Sequence, residues 1–292
     1  MPLTVLCGPT ASGKTALAVA LASRLGAEIV SADSQQVYRH FDLGTAKPTP
    51  AQLEAVPHHL VSCVDPLEPF SAARFQALAD QAIAAIQARG KRVVVVGGTG
   101  LYLRVLLHGV VPAPGGDDAL RARLEALEGP ALHQALAAVD PDSAARLPPA
   151  DRVRLVRALE IFHLTGKPAS AWRAEHAFAP QRYPAAVFVL DPPREALYQA
   201  IDRRTRALFD AGLVEEVASL VARGWRDAAP MGAVGYLEAL ACLEGRLTRE
   251  EAIARAAQAT RRYAKRQWTW FRKEPGARPV QPPFEVERFL GG

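Results

Sequence analysis

GPTASGKT, from Gly8 to Thr15, decides how the rest of this chain is read. It matches a phosphate loop at every fixed position. Glycines let successive backbone N–H groups converge on anionic oxygens, and a lysine and a hydroxyl follow to meet the outer charges. The run before it, Leu3 to Cys7, is short and apolar, and TALAVALASRL after it has a helical apolar spacing closed by Gly26. Strand, loop and helix in that order make phosphate binding the expected chemistry. Whose phosphates are bound is left open by the loop itself.

Working outward, Glu28 to Ala32 reads as a second strand, with Asp33 where the chain leaves the sheet, and His59 to Val64 is a further strand candidate. Ser71 is a candidate N-cap for a helix whose apolar face is Phe75, Leu78, Ala79, Ala82, Ile83 and Ile86, stopped by Gly90. Lys91 to Val96 then forms a strand apolar on both faces, as parallel sheets require, and LYLRVLLHG reads as helix. At VVPAPGGDD the texture changes: from Ala119 to about Phe178 there are helical patterns and no convincing strand. Ala185 to Leu190 restores a strand, followed by a helical region interrupted near Gly212. Thr248 and Glu251 form a capping box that opens a last helix running to about Lys273, and the Pro-rich tail beyond is expected to be irregular. The pattern predicts an α/β fold, a P-loop NTPase-like parallel sheet flanked by helices, with an all-helical insertion. It divides the chain into 1–114 and 185–292, two parts of one core domain, and the insertion 115–184.

Composition narrows the function classes. Among 292 residues, 49% are hydrophobic and 22% charged, as in ordinary globular proteins, and no apolar run approaches the ~18 residues of a membrane span. The amino end shows neither a basic leader nor a cleavable apolar stretch, so a cytoplasmic protein without membrane association is expected. Its three cysteines, Cys7, Cys63 and Cys242, lack metal-ligand spacing. The net charge of +5 is compatible with a polyanionic partner without requiring one.

A kinase or ATPase would place an acidic residue at the end of a second apolar strand to help hold magnesium. Here the best such strand ends in Gly97, Gly98, Thr99 and Gly100, which offer backbone N–H groups and a hydroxyl to a second anion contact. Asp33 sits where doubly wound folds bind ligands and is a candidate base; a turn or cap aspartate is the alternative. Ser34, Gln35 and Gln36 beside it are of the kind that read nucleobase edges. Arg255 to Lys273 carries seven basic side chains and no acidic one, interleaved with Tyr263, Trp268, Trp270 and Phe271, which suits either a solvated helix face or a nucleic-acid backbone. Arg154 and Arg157 share a face of the insertion's helix while Val156, Leu159 and Phe162 can turn inward. Arg203, Arg204 and Arg206 lie in DRRTR, where one could clamp a phosphate.

These motifs together resemble the bacterial tRNA dimethylallyltransferases, also called tRNA isopentenyltransferases. GPTASGKT, DSQQVY (33–38), GTAKP (44–48), PHH (57–59) and GGTGLYL (97–103) resemble that family's signatures in order. RALEI (157–161), GLVEEV (212–217), VGYLEAL (234–240) and KRQWTWFR (265–272) carry the similarity almost to the carboxyl end. One departure is Asp151, where the family usually has asparagine.

The resemblance implies transfer of a dimethylallyl group from its diphosphate to N6 of the adenosine at tRNA position 37. The loop Gly8, Pro9, Thr10, Ala11, Ser12, Gly13, Lys14 and Thr15 would then hold a leaving diphosphate, with Mg2+ on Thr15. Asp33, Thr99 and Arg204 would be catalytic, Arg204 being the arginine of DRRTR that matches the family's and Arg203 the fallback. The implied tRNA contacts are Asp33, Ser34, Gln35, Gln36, Thr99, Arg121 and the stretch Val153, Arg154, Leu155, Val156 and Arg157. The implied partners are dimethylallyl diphosphate and the anticodon stem–loop of tRNA, gripped by the insertion, and the chain is expected to act as a monomer.

Overall fold

A computed structural model describes residues 1–176 and 181–289 of the chain. Six strands form one sheet: β1 (Leu3–Cys7), β2 (Glu28–Ser31), β3 (His58–His59), β4 (Val93–Gly97), β5 (Ala185–Leu190) and β6 (Arg278–Val280). Their order is β3-β2-β4-β1-β5-β6, and every adjacent pair is parallel. The helices that connect and cover them are α1 (Lys14–Leu25), α2 (Pro50–Ala55), α3 (Ala72–Ala88) and α4 (Gly100–His108). After the fifth strand come α10 (Arg194–Asp210), α11 (Leu213–Ala222), α12 (Tyr236–Leu243) and α13 (Arg249–Phe271), and five further helices lie between α4 and β5 in the chain.

The valine run of β4 shows why the sheet is central. Val93 and Val95 pack on one face with Phe75, Ala79, Ile83 and Ile86 of α3, while Val94 and Val96 pack on the other with Leu17 and Leu21 of α1. Successive side chains on a strand point to opposite faces, so only a strand covered on both sides accepts unbroken valine. Ser71 caps α3 by accepting from the Arg74 N–H at 3.1 Å, and the capping box of Thr248 and Glu251 opens α13.

Two strand expectations change. The segment His59 to Val64 contributes only His58–His59 and an isolated bridge from Val64 to Tyr38. Leu60 and Ser62 adopt left-handed φ of 62° and 51°, which turns the chain off the sheet. The tail, expected to be irregular, instead adds β6 at the sheet edge, with Pro279 in register with Val189. An edge strand tolerates a residue without an N–H, and Phe289 behind it is buried against Phe188 at a ring distance of 5.0 Å.

The chain divides into two compact units, Met1–Leu107 with Arg182–Gly292, and His108–Gln181. The Pro/Gly punctuation suggested 115 and 184. Helix α4 carries the first unit up to Leu107, and Arg182 and Tyr183 bind Asp80 at 2.6 and 2.7 Å, so those residues belong to the α/β unit. The second unit is made of α5 (Asp118–Glu125), α6 (Gly129–Val139), α7 (Pro141–Ala144), α8 (Arg152–Thr165) and α9 (Ala169–His176), with no strand among its described residues. Its core gathers Leu124, Leu132, Leu136, Leu155, Val156 and Leu159. The expected end of the helical stretch at Phe178 lies outside the described residues.

Candidate functional site

The phosphate loop leaves β1 at Gly8, whose φ is 143° and where a Cβ would stand 2.6 Å from the Leu190 carbonyl oxygen. Gly13, at φ 86°, starts α1 with no side-chain cap, so the first N–H groups of that helix remain available to an anion. Lys14 folds back over the loop, its Nζ donating to the Pro9 carbonyl at 2.6 Å. Burial first, then the neighbouring Arg204 charge, lowers its pKa to about 8. The Arg204 guanidinium donates to the Thr10 hydroxyl at 3.2 Å, and the Ser12 hydroxyl is buried without a partner. Lys14, Thr15 and Arg204 line a cleft of about 450 Å³, whereas Arg203, the next residue on α10, is exposed and does not line it.

Asp33 follows Ala32 out of β2 and lines this cleft and an adjoining cavity of about 290 Å³. Its Oδ1 accepts from the backbone N–H groups of Gln35 and Gln36 at 2.8 and 3.3 Å, so it does cap a turn. Its Oδ2 has no hydrogen-bond partner among the described residues. The Thr99 hydroxyl accepts from the Ser34 N–H at 3.1 Å, tying GGTG to DSQQ, and a Cβ on Gly97 would lie 2.1 Å from the Ala32 carbonyl oxygen. Gln36 is spent on the protein: its amide accepts from Ser31 at 3.2 Å and donates to the Ala46 carbonyl at 3.1 Å. Gln35 differs, because its Oε1 is buried and unpartnered beside the second cavity.

Tyr263 and Gln267 of α13 line the cleft, a role the sequence reading does not give them although it notes Tyr263 in the basic, aromatic run. Gln267 is a bracket between loops: its Oε1 accepts from the Thr10 N–H at 2.8 Å and its Nε2 donates to the Gly98 carbonyl at 2.8 Å. Tyr263, one turn earlier, lines both cavities; burial, with Asp33 nearby, pushes its phenol up to about 12. The available signal is the four-residue spacing from Tyr263 to Gln267, of which only Gln267 lies inside KRQWTWFR, masked by the basic residues around them. The distant motifs GTAKP, GLVEEV and VGYLEAL also meet. Tyr236 donates to Glu216 and accepts from the Gly44 N–H at 3.2 Å, while Glu216 accepts from the Leu43 N–H at 2.9 Å. PHH meets a buried carboxylate: burial would raise Glu28, but His59, Lys91 and Arg89 hold it down at about 2.

In the helical unit the arginines have distinct environments. Arg121 and Arg157 both bind Glu160, a fully buried carboxylate, at 3.0 and 2.6 Å, and Glu160 also accepts from the Asp117 N–H at 3.0 Å. Arg157 further donates to the Pro114 carbonyl at 2.7 Å. Arg154 is exposed and, among the described residues, pairs only with Asp151, at 2.5 Å, and Val153 is 83% exposed. Leu155 and Val156 have their side chains in this unit's core, which leaves surface contacts to their neighbours.

No group of three or more His, Cys, Asp or Glu among the described residues could form a metal cage, and no helix among them is long and apolar enough to cross a membrane. A family model described as IPP transferase matches residues 36–274. A tRNA dimethylallyltransferase of Myxococcus xanthus is 66% identical over 99% of this chain and 96% of its own. The solved tRNA isopentenylpyrophosphate transferase of Bacillus halodurans is 39% identical, with a TM-score of 0.73 over 99% of this chain and 93% of that one. A eukaryotic dimethylallyltransferase, solved in snapshots of its action on tRNA, superposes with a TM-score of 0.82 at 29% identity, covering 96% of this chain and 73% of that chain.

Proposed function

The chain belongs to the IPP transferase family, and from that premise we propose how its cleft moves a dimethylallyl group from dimethylallyl diphosphate to N6 of the adenosine at tRNA position 37. It is a transferase, and tRNA is its substrate. The phosphate loop holds a diphosphate that departs, and no phosphoryl group is transferred.

The lone pair of adenine N6 is delocalised into the ring, so a poor nucleophile attacks an allylic carbon while negative charge grows on the departing diphosphate. Asp33 serves the first difficulty. The turn held by Oδ1 fixes the carboxylate, and Oδ2, with no partner among the described residues, takes the N6 proton. Lys14, Arg204 and the free N–H groups at the start of α1 serve the second, since donors already in place stabilise charge as it develops. Thr99 holds the two loops that flank the reacting centre. A hard divalent cation that keeps its waters and takes substrate phosphates needs few protein ligands, and the Thr15 hydroxyl in the first turn of α1 suits it. Bound there, Mg2+ would neutralise part of the leaving group's charge.

The second cavity suits the adenosine, which must leave its stack at a cost of a few kcal/mol. Gln35, with its unpartnered carbonyl, is the contact best suited to a base edge; Ser34 and Gln36 shape the turn beneath it. The helical unit grips the anticodon stem–loop through Arg121, Val153, Arg154 and Arg157, and Leu155 and Val156 hold that helix to its core. The enzyme works in the cytoplasm as a monomer, since a single chain supplies every group named.

The observation that carries the assignment is the free Oδ2 of Asp33 beside both the phosphate loop and the second cavity. Incubation with labelled dimethylallyl diphosphate, ATP and unmodified tRNA tests it. Label from dimethylallyl diphosphate should reach the RNA without ATP turnover. ATP hydrolysis with no prenyl transfer would favour a kinase-like use of the loop and overturn the reading.

A further inference from the structure

Helix α13 carries a second stripe that the transfer reaction does not use. Tyr263 and Gln267 face the cleft, whereas Lys265, Thr269, Arg272 and Lys273 follow one another along a different side. They line a groove of about 490 Å³ whose other wall includes Arg194 and Tyr198, and none of its lining residues lines either cavity of the site. Two of its cations lie against aromatic faces: Arg194 is 5.0 Å from the Tyr198 ring centroid and Arg272 is 5.7 Å from that of Trp268.

Their charge is poorly compensated. Elsewhere on α13, Arg249 pairs with Asp210 at 2.5 Å and Arg261 pairs with Asp202. Among the described residues, Lys265, Lys273 and Arg194 have no carboxylate within ion-pair distance, and Arg272 reaches Asp191 only at 3.6 Å. Trp268, 7% exposed, adds an indole N–H with no partner. Lys265 to Lys273 runs about 12 Å along the last turns of α13 and just past its end at Phe271, so these cations form a row. A site for a small free anion draws its donors together around one point, whereas a row of exposed cations along an open groove with aromatic walls follows a chain of phosphates.

We propose that this groove binds the sugar–phosphate backbone of the tRNA substrate, at a place other than the adenosine that enters the cleft. The inference rests on the tRNA-transferase reading above and adds a second footing for the RNA. It also gives the basic run of α13 a use, since the cleft takes only that helix's other side.

The test is equilibrium binding of full-length unmodified tRNA as a function of salt, with a variant carrying Lys265→Gln, Arg272→Gln and Lys273→Gln. Each lost phosphate contact should flatten the plot of log affinity against log salt by about 0.7 to 0.9. The variant's slope should therefore fall by about 2, with affinity near 0.1 M salt at least about tenfold weaker. Its affinity for dimethylallyl diphosphate without RNA should match the wild type, which shows that the phosphate loop is intact. A wild-type salt slope overturns the proposal. So does loss of inorganic tripolyphosphate binding at an unaltered tRNA slope, which would make the groove a small-anion site. If the triple variant fails to fold, Thr269→Glu, which puts one negative charge into the same row, must weaken tRNA binding or the proposal fails. Wild-type protein that binds no tRNA takes down both readings, whereas an unaltered variant slope takes down only this one.

Discussion

Asp33 in the α/β unit and Glu160 in the helical unit are both carboxylates held by several donors, yet only one has anything left to give. Asp33, which lines the cleft, spends Oδ1 on two backbone N–H groups and leaves Oδ2 without a partner among the described residues. Glu160 spends both oxygens on Arg121, Arg157 and the Asp117 N–H, and it is buried completely. A carboxylate with a spare oxygen at a cavity wall can accept a proton, and one whose acceptor sites are all filled holds its neighbours in place. The contrast distinguishes the proposed proton acceptor from a structural carboxylate more sharply than charge or burial does.

The most severe test of that contrast is Asp33→Asn. Asparagine retains an oxygen for the Gln35 and Gln36 N–H groups, so the turn survives while the proton acceptor is lost. Single-turnover transfer at saturating tRNA and donor should slow by at least about 10²-fold with both substrates still bound. A rate within about threefold of wild type would remove Asp33 from the chemistry and leave it a turn cap.

Glu160→Gln should act on stability instead. Losing the charge that faces two guanidiniums is expected to cost about 2 kcal/mol, below the range for fully buried pairs because both arginines remain about two-fifths exposed. The measurement is denaturant unfolding, with prenyl transfer per folded molecule at saturating tRNA and donor changing little. The pH dependence has a definite sign: hydrogen bonds from Arg157 and Arg121 outweigh burial and hold Glu160 below the ordinary glutamate value. Its contribution is therefore present above the unfolded pKa and is lost as pH falls through the folded one.

Lys14 sharpens the comparison from the basic side. Burial and Arg204 lower it to about 8, so the protein without ligand loses this positive charge as pH rises through that value. A diphosphate carries its full charge there, and its affinity should decline above pH 8 towards about tenfold per unit. Lys14→Met should abolish that dependence; titration calorimetry across pH 7 to 10 reads it. The sign for stability is opposite. A lysine with a depressed folded pKa makes the unfolded chain bind more protons between about 8 and 10.5, so stability rises with pH across that window.

Arg154→Ala should have the smallest effect. Its pair with Asp151 is exposed and contributes under about 1 kcal/mol, so unfolding should barely shift. If it touches a phosphate, the salt slope for tRNA should flatten by about one unit. Arg157→Ala, by contrast, should alter stability and RNA binding together, because Arg157 also anchors Glu160 and Pro114.

Much of the candidate site was visible in short stretches of sequence. Gly8 to Thr15, the turn at Asp33 and the GGTG that follows β4 are local patterns whose backbone requirements are written in neighbouring residues. The arginines were harder to read. Arg203 and Arg204 are adjacent letters, but a helix turns about 100° between them, and only the second faces the cleft. Arg154 and Arg157 look equivalent at a three-residue spacing, and their separate environments depend on Glu160 and Pro114, which spacing does not reveal.

By itself, the sequence determined the strand–loop–helix of the proposed phosphate site, the buried valine strand, the helix caps and the order of the motifs. Each rests on interactions within a few residues, where dihedral preference and apolar period suffice. Only the tertiary structure decided that the tail supplies β6 and that Gln267 brackets loops 257 and 169 residues away. It alone decided that Glu216 and Tyr236 hold Gly44, and that one oxygen of Asp33 has no partner among the described residues. Those outcomes depend on which distant groups arrive at hydrogen-bonding distance. Packing chooses them, because a buried donor or acceptor left unpaired costs more than any local preference decides.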